Sequence, residues 1–202
     1  YKRQTWNNWH NVGGALAINA GEHIGDLVTT TNVSTGVDLI ITGGFVGNGI
    51  LNGGLLNPST ALLGTLGIAT ATQDFFFGTG LDSPAGFMLT GLDRKLGYDL
   101  HLFGSRTTTE TRITTYGVDG RCPTLSLAHQ TSGSGIGTNG TYNGNDDEIA
   151  VLEGMRPDRF GQLFVDLELT AGSFCYVNAL EIVVSLPIAC DSGRLGTHPV
   201  YP

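Results

Sequence analysis

Recognition of a sugar needs flat rings that lie against pyranose faces, and amide, carboxylate or guanidinium groups that hold the hydroxyls. The chain carries such a set. Trp6, Trp9 and Tyr142 supply rings, and Asn7, Asn8, His10, Arg106 and Asn178 supply polar partners. Tyr142 sits in a polar Gly/Ser/Asn stretch over 131–145 and is the ring expected to be exposed. A competing reading has Trp6 and Trp9 plugging one end of the fold, and Arg106 and Asn178 ordering loops through hydrogen bonds and ion pairs. A second cluster, Asn143-Gly144-Asn145-Asp146-Asp147-Glu148, gathers oxygen ligands of the kind calcium takes. Its ligand candidates are Asn145, Asp146, Asp147 and Glu148. The spacing is not that of an EF-hand, so bound calcium would fix the loop rather than do chemistry. The alternative is a solvated turn.

Catalytic signatures are missing from the sequence. No Gly-x-Ser-x-Gly elbow occurs. Gly25-Asp26-Leu27 lacks the serine of a Gly-Asp-Ser esterase, and Asp191-Ser192-Gly193 lacks the flanking glycines of a serine-protease nucleophile loop. The acids fall mostly on the outer faces of expected strands or in turns, so the expectation is a protein that is not an enzyme. Three cysteines, Cys122, Cys175 and Cys190, allow one disulfide and leave one thiol over. No two of them have zinc-ligand spacing.

The elements that must position these residues read as strands. Gly accounts for 31 of the 202 residues, about twice its usual share, and charged residues for only 14%. This mixture suits short strands joined by tight turns, where Gly supplies positive φ. Gln162–Thr170 alternates cleanly, with Leu163, Val165, Leu167 and Leu169 on one face and Asp166, Glu168 and Thr170, joined by Phe164, on the other. Similar signals run over 74–77, 86–92, 98–103, 112–118, 123–129, 147–153 and 174–186, and a hairpin is expected over 26–42. About nine or ten strands at this spacing predict an all-β fold, an antiparallel β-sandwich, as one domain over 1–202. The stretch 43–72 departs from the pattern. It is Gly-rich and apolar without strand alternation, and a short helix is expected near Ser59–Leu66. Residues 187–202 read as a C-terminal tail.

A series of short motifs then runs along the chain: Trp6-Asn7-Asn8, Leu92-Asp93, Tyr98-Asp99-Leu100, Phe103-Gly104-Ser105-Arg106, Thr115-Tyr116-Gly117-Val118-Asp119-Gly120, Pro157-Asp158 with Gly161, and Tyr176-Val177-Asn178-Ala179-Leu180-Glu181-Ile182. In this order and spacing the chain resembles bacterial galactose-binding-like (malectin-type) modules of secreted and surface proteins. The resemblance implies a jelly-roll sandwich, an extracellular setting and glycan binding.

The net charge of −8 argues against a nucleic-acid partner or an anionic membrane surface. No apolar run reaches the ~18 residues of a membrane-spanning helix. The expected function is therefore a non-enzymatic, secreted carbohydrate-binding or adhesive module with a glycan or cell-surface partner. Two alternatives stand beside it: a structural subunit that self-assembles into a filament, sheath or surface layer, burying the 43–72 stretch against another copy, and an accessory domain of a secreted polysaccharide-degrading enzyme.

Overall fold

Along β11 (Leu163–Ala171), Leu163, Val165 and Leu167 turn inward and are fully buried, while Phe164, Asp166 and Glu168 face out. Burial of each such aliphatic side chain contributes roughly 1.5–3 kcal/mol. This strand lies between β6 (Ala85–Thr90) and β8 (Arg112–Asp119), and β3 (Asp38–Gly43), β2 (His23–Ile24) and β9 (Leu125–Ser132) complete a six-stranded sheet in the order β2-β3-β6-β11-β8-β9. The computed structural model describes residues 7, 16–48, 52–79, 84–138 and 140–186.

Two smaller sheets face it. One has three strands, β10 (Ala150–Met155), β7 (Gly97–Phe103) and β13 (Ala179–Ser185), with β7 in the middle. The other has four, in the order β1 (Leu16–Ile18), β4 (Phe45–Asn48), β5 (Phe75–Gly78) and β12 (Cys175–Val177). The neighbouring strands pair antiparallel throughout. One core draws on all three sheets, with Phe87, Leu89, Val118 and Val165 from the large sheet against Leu100, Leu152, Phe45 and Val177. The architecture is an antiparallel β-sandwich.

Three expectations need correction. The described residues form thirteen strands rather than nine or ten, because β1, β2 and β4 are too short to show alternation. The segment 27–31 is not a regular hairpin arm: an isolated Val28–Ser34 bridge and backbone bonds from the Leu27 amide to the Val37 carbonyl (2.7 Å) and from the Thr35 amide to the Leu27 carbonyl (3.1 Å) hold it in a tight loop that forms no strand. Its backbone turns at Asp26 and Asn32, both at positive φ, and the Asp26 carboxylate accepts from the Ser34 hydroxyl (2.7 Å) and the Gly36 amide (2.9 Å). β3 pairs with β2 and β6 instead. Finally, 174–186 is not one long strand. It breaks at Asn178, so that β12 pairs with β5 in one sheet and β13 with β7 in another.

The Gly-rich stretch resolves into β4 and then a small cap. The cap is built from α1 (Thr60–Leu63), a 3-10 turn over Gly64–Leu66 and α2 (Ala69–Thr72), which places helical turns where a short helix is expected. Leu55, Leu63, Leu66 and Ala71 close over Phe103 and Ala179 in a second core. Side chains alternate across a strand, and Leu102 and Leu180 point into the main core. Phe103 and Ala179 therefore present the opposite face of the three-stranded sheet, and the cap covers it. Thr65 ties the cap down by donating to the Glu181 carboxylate (2.7 Å), which also meets His101 Nδ1 at 3.0 Å. Cys122 is disulfide-bonded, whereas Cys175 is a buried free thiol.

The two cap leucines Leu62 and Leu63 should respond very differently to truncation. Leu63 is fully buried, and Leu63→Ala should lower the unfolding free energy by about 2–5 kcal/mol in urea denaturation. Leu62 is 46% exposed, and Leu62→Ala should change it by less than about 0.5 kcal/mol.

Candidate functional site

At one end of the sandwich the polar residues of three loops meet, and Asn178 organises them. Its backbone amide donates to the Phe103 carbonyl (2.8 Å), and its side-chain carbonyl accepts from the Ser105 amide (2.7 Å). Its side-chain amide donates to the carbonyls of Thr72 (3.0 Å) and Asp74 (2.9 Å). These bonds satisfy backbone groups exactly where the chain leaves one sheet for the next, groups whose burial without partners would be expensive.

Ser105 passes the constraint on. Its hydroxyl donates to the Asn145 carbonyl (2.6 Å) and lies 2.8 Å from the Tyr142 phenol. Gly104 permits this close approach: a Cβ there would lie 2.3 Å from the Tyr116 hydroxyl, which donates to the Tyr176 carbonyl (2.7 Å). The Asn145 side chain is buried and fully employed. Its Oδ1 accepts from the amides of Glu148 (2.9 Å) and Asp147 (3.3 Å), and its Nδ2 lies 2.8 Å from the Glu148 carbonyl, 3.2 Å from the Gly104 carbonyl and 3.0 Å from His129 Nε2.

Since Asn145 Nδ2 is a donor, His129 Nε2 accepts and the ring proton sits on Nδ1. Burial holds His129 neutral by driving its pKa down to about 4, against the opposing pull of the Asp147 carboxylate.

Beyond this network opens a cleft of about 260 Å³, lined by Gln130, Ile136, Asn145, Asp147 and Glu148. The Gln130 amide is oriented by a bond from Nε2 to the Ser132 carbonyl (3.1 Å). Partial burial, and then the neighbouring charges of Asp146 and Glu148, raise the Asp147 carboxyl above its usual range. Among the described residues, no other residue donates to the Asp147 or Glu148 carboxylates.

The residues singled out from the sequence are distributed unevenly around this cleft. Trp6, Trp9 and His10 lie outside the described residues. Asn7 serves the fold: its side-chain amide and carbonyl bond the Val28 carbonyl and amide, each at 2.9 Å, as a paired strand would. Asn178 orders three segments. Tyr142 is not the exposed ring expected of it. It packs against the second core, and burial pushes its phenol up to about 12 despite the Ser105 hydrogen bond. Arg106 lies elsewhere on this end, against Phe75 and Tyr176.

Of the four oxygen ligands proposed for calcium, Asp147 and Glu148 line the cleft. The Asn145 oxygen is spent on loop amides, and both Asp146 oxygens accept from Thr138, at 2.7 Å from its amide and 3.0 Å from its hydroxyl. Among the described residues, no three His, Cys, Asp or Glu side chains gather as a metal-holding set. His129, Gln130 and Ile136 were not legible as site residues. The only hint was that His129 occupies an inward position in the alternation of β9.

Comparison of the chain with protein-family models, with curated proteins and with solved structures gives no match. The architecture and the end cleft are thus the basis for assigning a role.

His129 gives the site a pH signature. Its folded pKa is depressed from 6.5 to about 4, so the unfolded chain binds a proton in a range where the folded chain does not. Its contribution to stability is intact above pH ~6.5, falls as pH drops through that window, and levels off below ~4, for a loss of roughly 3 kcal/mol. Urea melts between pH 7 and 4 should show this slope in the native protein, and His129→Gln should flatten it.

Proposed function

We propose that the chain is a non-enzymatic carbohydrate-binding module of the extracellular type, and that it takes a sugar in the Gln130–Asp147–Glu148 cleft. The observation that carries this reading is the convergence of one amide and two otherwise uncommitted carboxylates on a single open cleft, with Ile136 as an apolar wall. Amide and carboxylate oxygens accept from sugar hydroxyls, the Gln130 amide donates to them, and an aliphatic wall suits the C–H face of a ring. At about 260 Å³ the cleft lies just below the ~300–1,000 Å³ of pockets for drug-sized ligands, a size suited to one ring of a longer glycan. The Asn145 network supports the reading further by holding the lining groups in place before any ligand arrives, which lowers the ordering cost of binding.

Among the described residues, the His129 ring bonds Asn145 and no hydroxyl or thiol. It is neutral, buried, and tied through Nε2 to Asn145. The disulfide at Cys122 fits an oxidising, extracellular compartment. Of the apolar Gly-rich stretch that motivates the assembly alternative, Leu55, Leu63 and Leu66 are buried within the chain itself, whereas Leu56 and Leu62 are exposed.

A glycan array probed with the folded protein, followed by calorimetry on the best ligand, tests the proposal. Gln130→Ala and Asp147→Ala should each weaken binding by about tenfold or more, as expected for removing a hydrogen bond to a desolvated polar group, with the thermal midpoint nearly unchanged. Absence of binding to every glycan at high protein concentration would discard the sugar-binding reading. Binding that is indifferent to both substitutions would move it away from this cleft.

A further inference from the structure

A different set of residues on the same end of the sandwich carries an independent assignment. Phe75, Phe77, Phe174 and Tyr176 form an aromatic cluster. Phe75 meets Tyr176 edge-on at 5.2 Å, and Phe77 meets Phe174 edge-on at 5.2 Å. Two guanidinium groups enter it. Arg112 lies over the Phe174 ring at 4.9 Å and the Tyr176 ring at 5.5 Å, and Arg106 lies over Phe75 at 5.6 Å. Both donate an Nη1 proton to the same atom, the Tyr176 phenol oxygen.

The charges in this cluster do not balance. Arg112 has a carboxylate partner, since Glu110 accepts from its Nε at 2.7 Å and meets its Nη2 at 2.5 Å. The Ser173 hydroxyl, first, and then Arg112 hold that carboxyl below its usual range. Arg106 has no such partner among the described residues, and its Nε is buried without a hydrogen-bond acceptor. A half-buried cation beside a second cation, held only by a neutral phenol and a ring face, is costly unless an anion compensates it. It is unusual in a chain whose net charge is −8. A guanidinium presents planar paired donors that match an oxyanion, and the half-exposed Phe174 ring under Arg112, packed edge-on against the half-exposed Phe77, adds apolar surface to the same cluster.

We infer that Arg106, backed by Arg112 and Tyr176, is a binding site for an oxyanion, namely a carboxylate or sulfate group carried by a small ligand with an apolar face. The site shares no residue with the cleft and does not depend on it.

The test is an NMR titration that follows the arginine side-chain Nε–H signals. Sodium galacturonate and sodium sulfate are added in separate arms, with neutral galactose and sodium chloride as controls. The Arg106 signal should shift saturably with at least one oxyanion and with neither control. Arg106→Met should weaken that binding about tenfold or more, the loss expected for a charge-assisted hydrogen bond, whereas Asp147→Ala in the cleft should leave it intact. Arg106→Lys keeps the charge but not the fork and should bind several-fold more weakly than the native protein. It serves as the informative variant if Arg106→Met does not fold.

Stronger binding of galacturonate than of sulfate assigns the carboxylate and the apolar face together, and equal binding assigns a general oxyanion site. A shift that does not saturate, an equal response to chloride, or unchanged binding by both folded Arg106 variants would overturn the assignment.

Discussion

The polar end of this sandwich depends on how the chain crosses from one sheet to another at Asn178. A strand that changes sheets must abandon one ladder of hydrogen bonds before it joins the next, and its neighbours are left with unpaired backbone groups. A single amide side chain with two donors and an acceptor can meet several of them at once. Asn178 joins the start of the Ser105 loop, the end of the cap at Thr72 and the start of β5 at Asp74. On one side of the crossing β12 pairs with β5, and on the other β13 pairs with β7, where the Asn178 amide adds its bond to the Phe103 carbonyl. An aspartate would lack the two donors and an aliphatic residue would lack every partner, so the residue type follows from the geometry.

Both polar features at this end descend from that crossing. Gly104, Ser105 and Arg106 follow one another along the chain and serve different neighbours. Gly104 leaves room for the Tyr116 hydroxyl, Ser105 reaches Asn145, and Arg106 reaches Tyr176. The two features are electrostatically opposite. The Asn145–His129 pair is uncharged, the buried Asp146 carboxylate is held by Thr138, and Asp147 and Glu148 line the cleft. The aromatic cluster holds two cations and one carboxylate. A neutral buried pair avoids the desolvation cost that charges would bring, and the cationic cluster accepts that cost partly through ring faces.

The cap answers a different physical need. A three-stranded sheet has two faces, and only one can meet the six-stranded sheet. Phe103 and Ala179 on the other face would expose apolar surface at the root of the site loops. The leucines of the cap cover them, and the Tyr142 ring joins the same cluster from the loop that shapes the cleft. Stability of the cap and order of the cleft loop are thereby coupled through packing.

Much of the fold was legible from residue order. The alternation in β11, β8 and β7, the low charge and the Gly-rich turns establish an antiparallel sandwich, because inward apolar and outward polar positions recur with the period of a strand. Helical turns near Ser59–Leu66 were also legible. Other features were not. The break at Asn178 lies inside an apolar run that reads as continuous, and only the competing demands of β5 and β7 divide it. Tyr142 sits in a polar loop and reads as exposed, yet its ring is drawn into a core whose other members are distant in sequence. Asp146 reads as a cation ligand, and a threonine eight residues earlier takes both its oxygens. Arg106 is visible in the sequence as a lone cation, but its missing counter-charge is a property of three-dimensional neighbours. The sequence by itself determined the periodicity, and with it the class of fold. The tertiary structure decided which polar groups are spent on one another and which are left uncommitted, because that depends on contacts between segments as many as 116 residues apart.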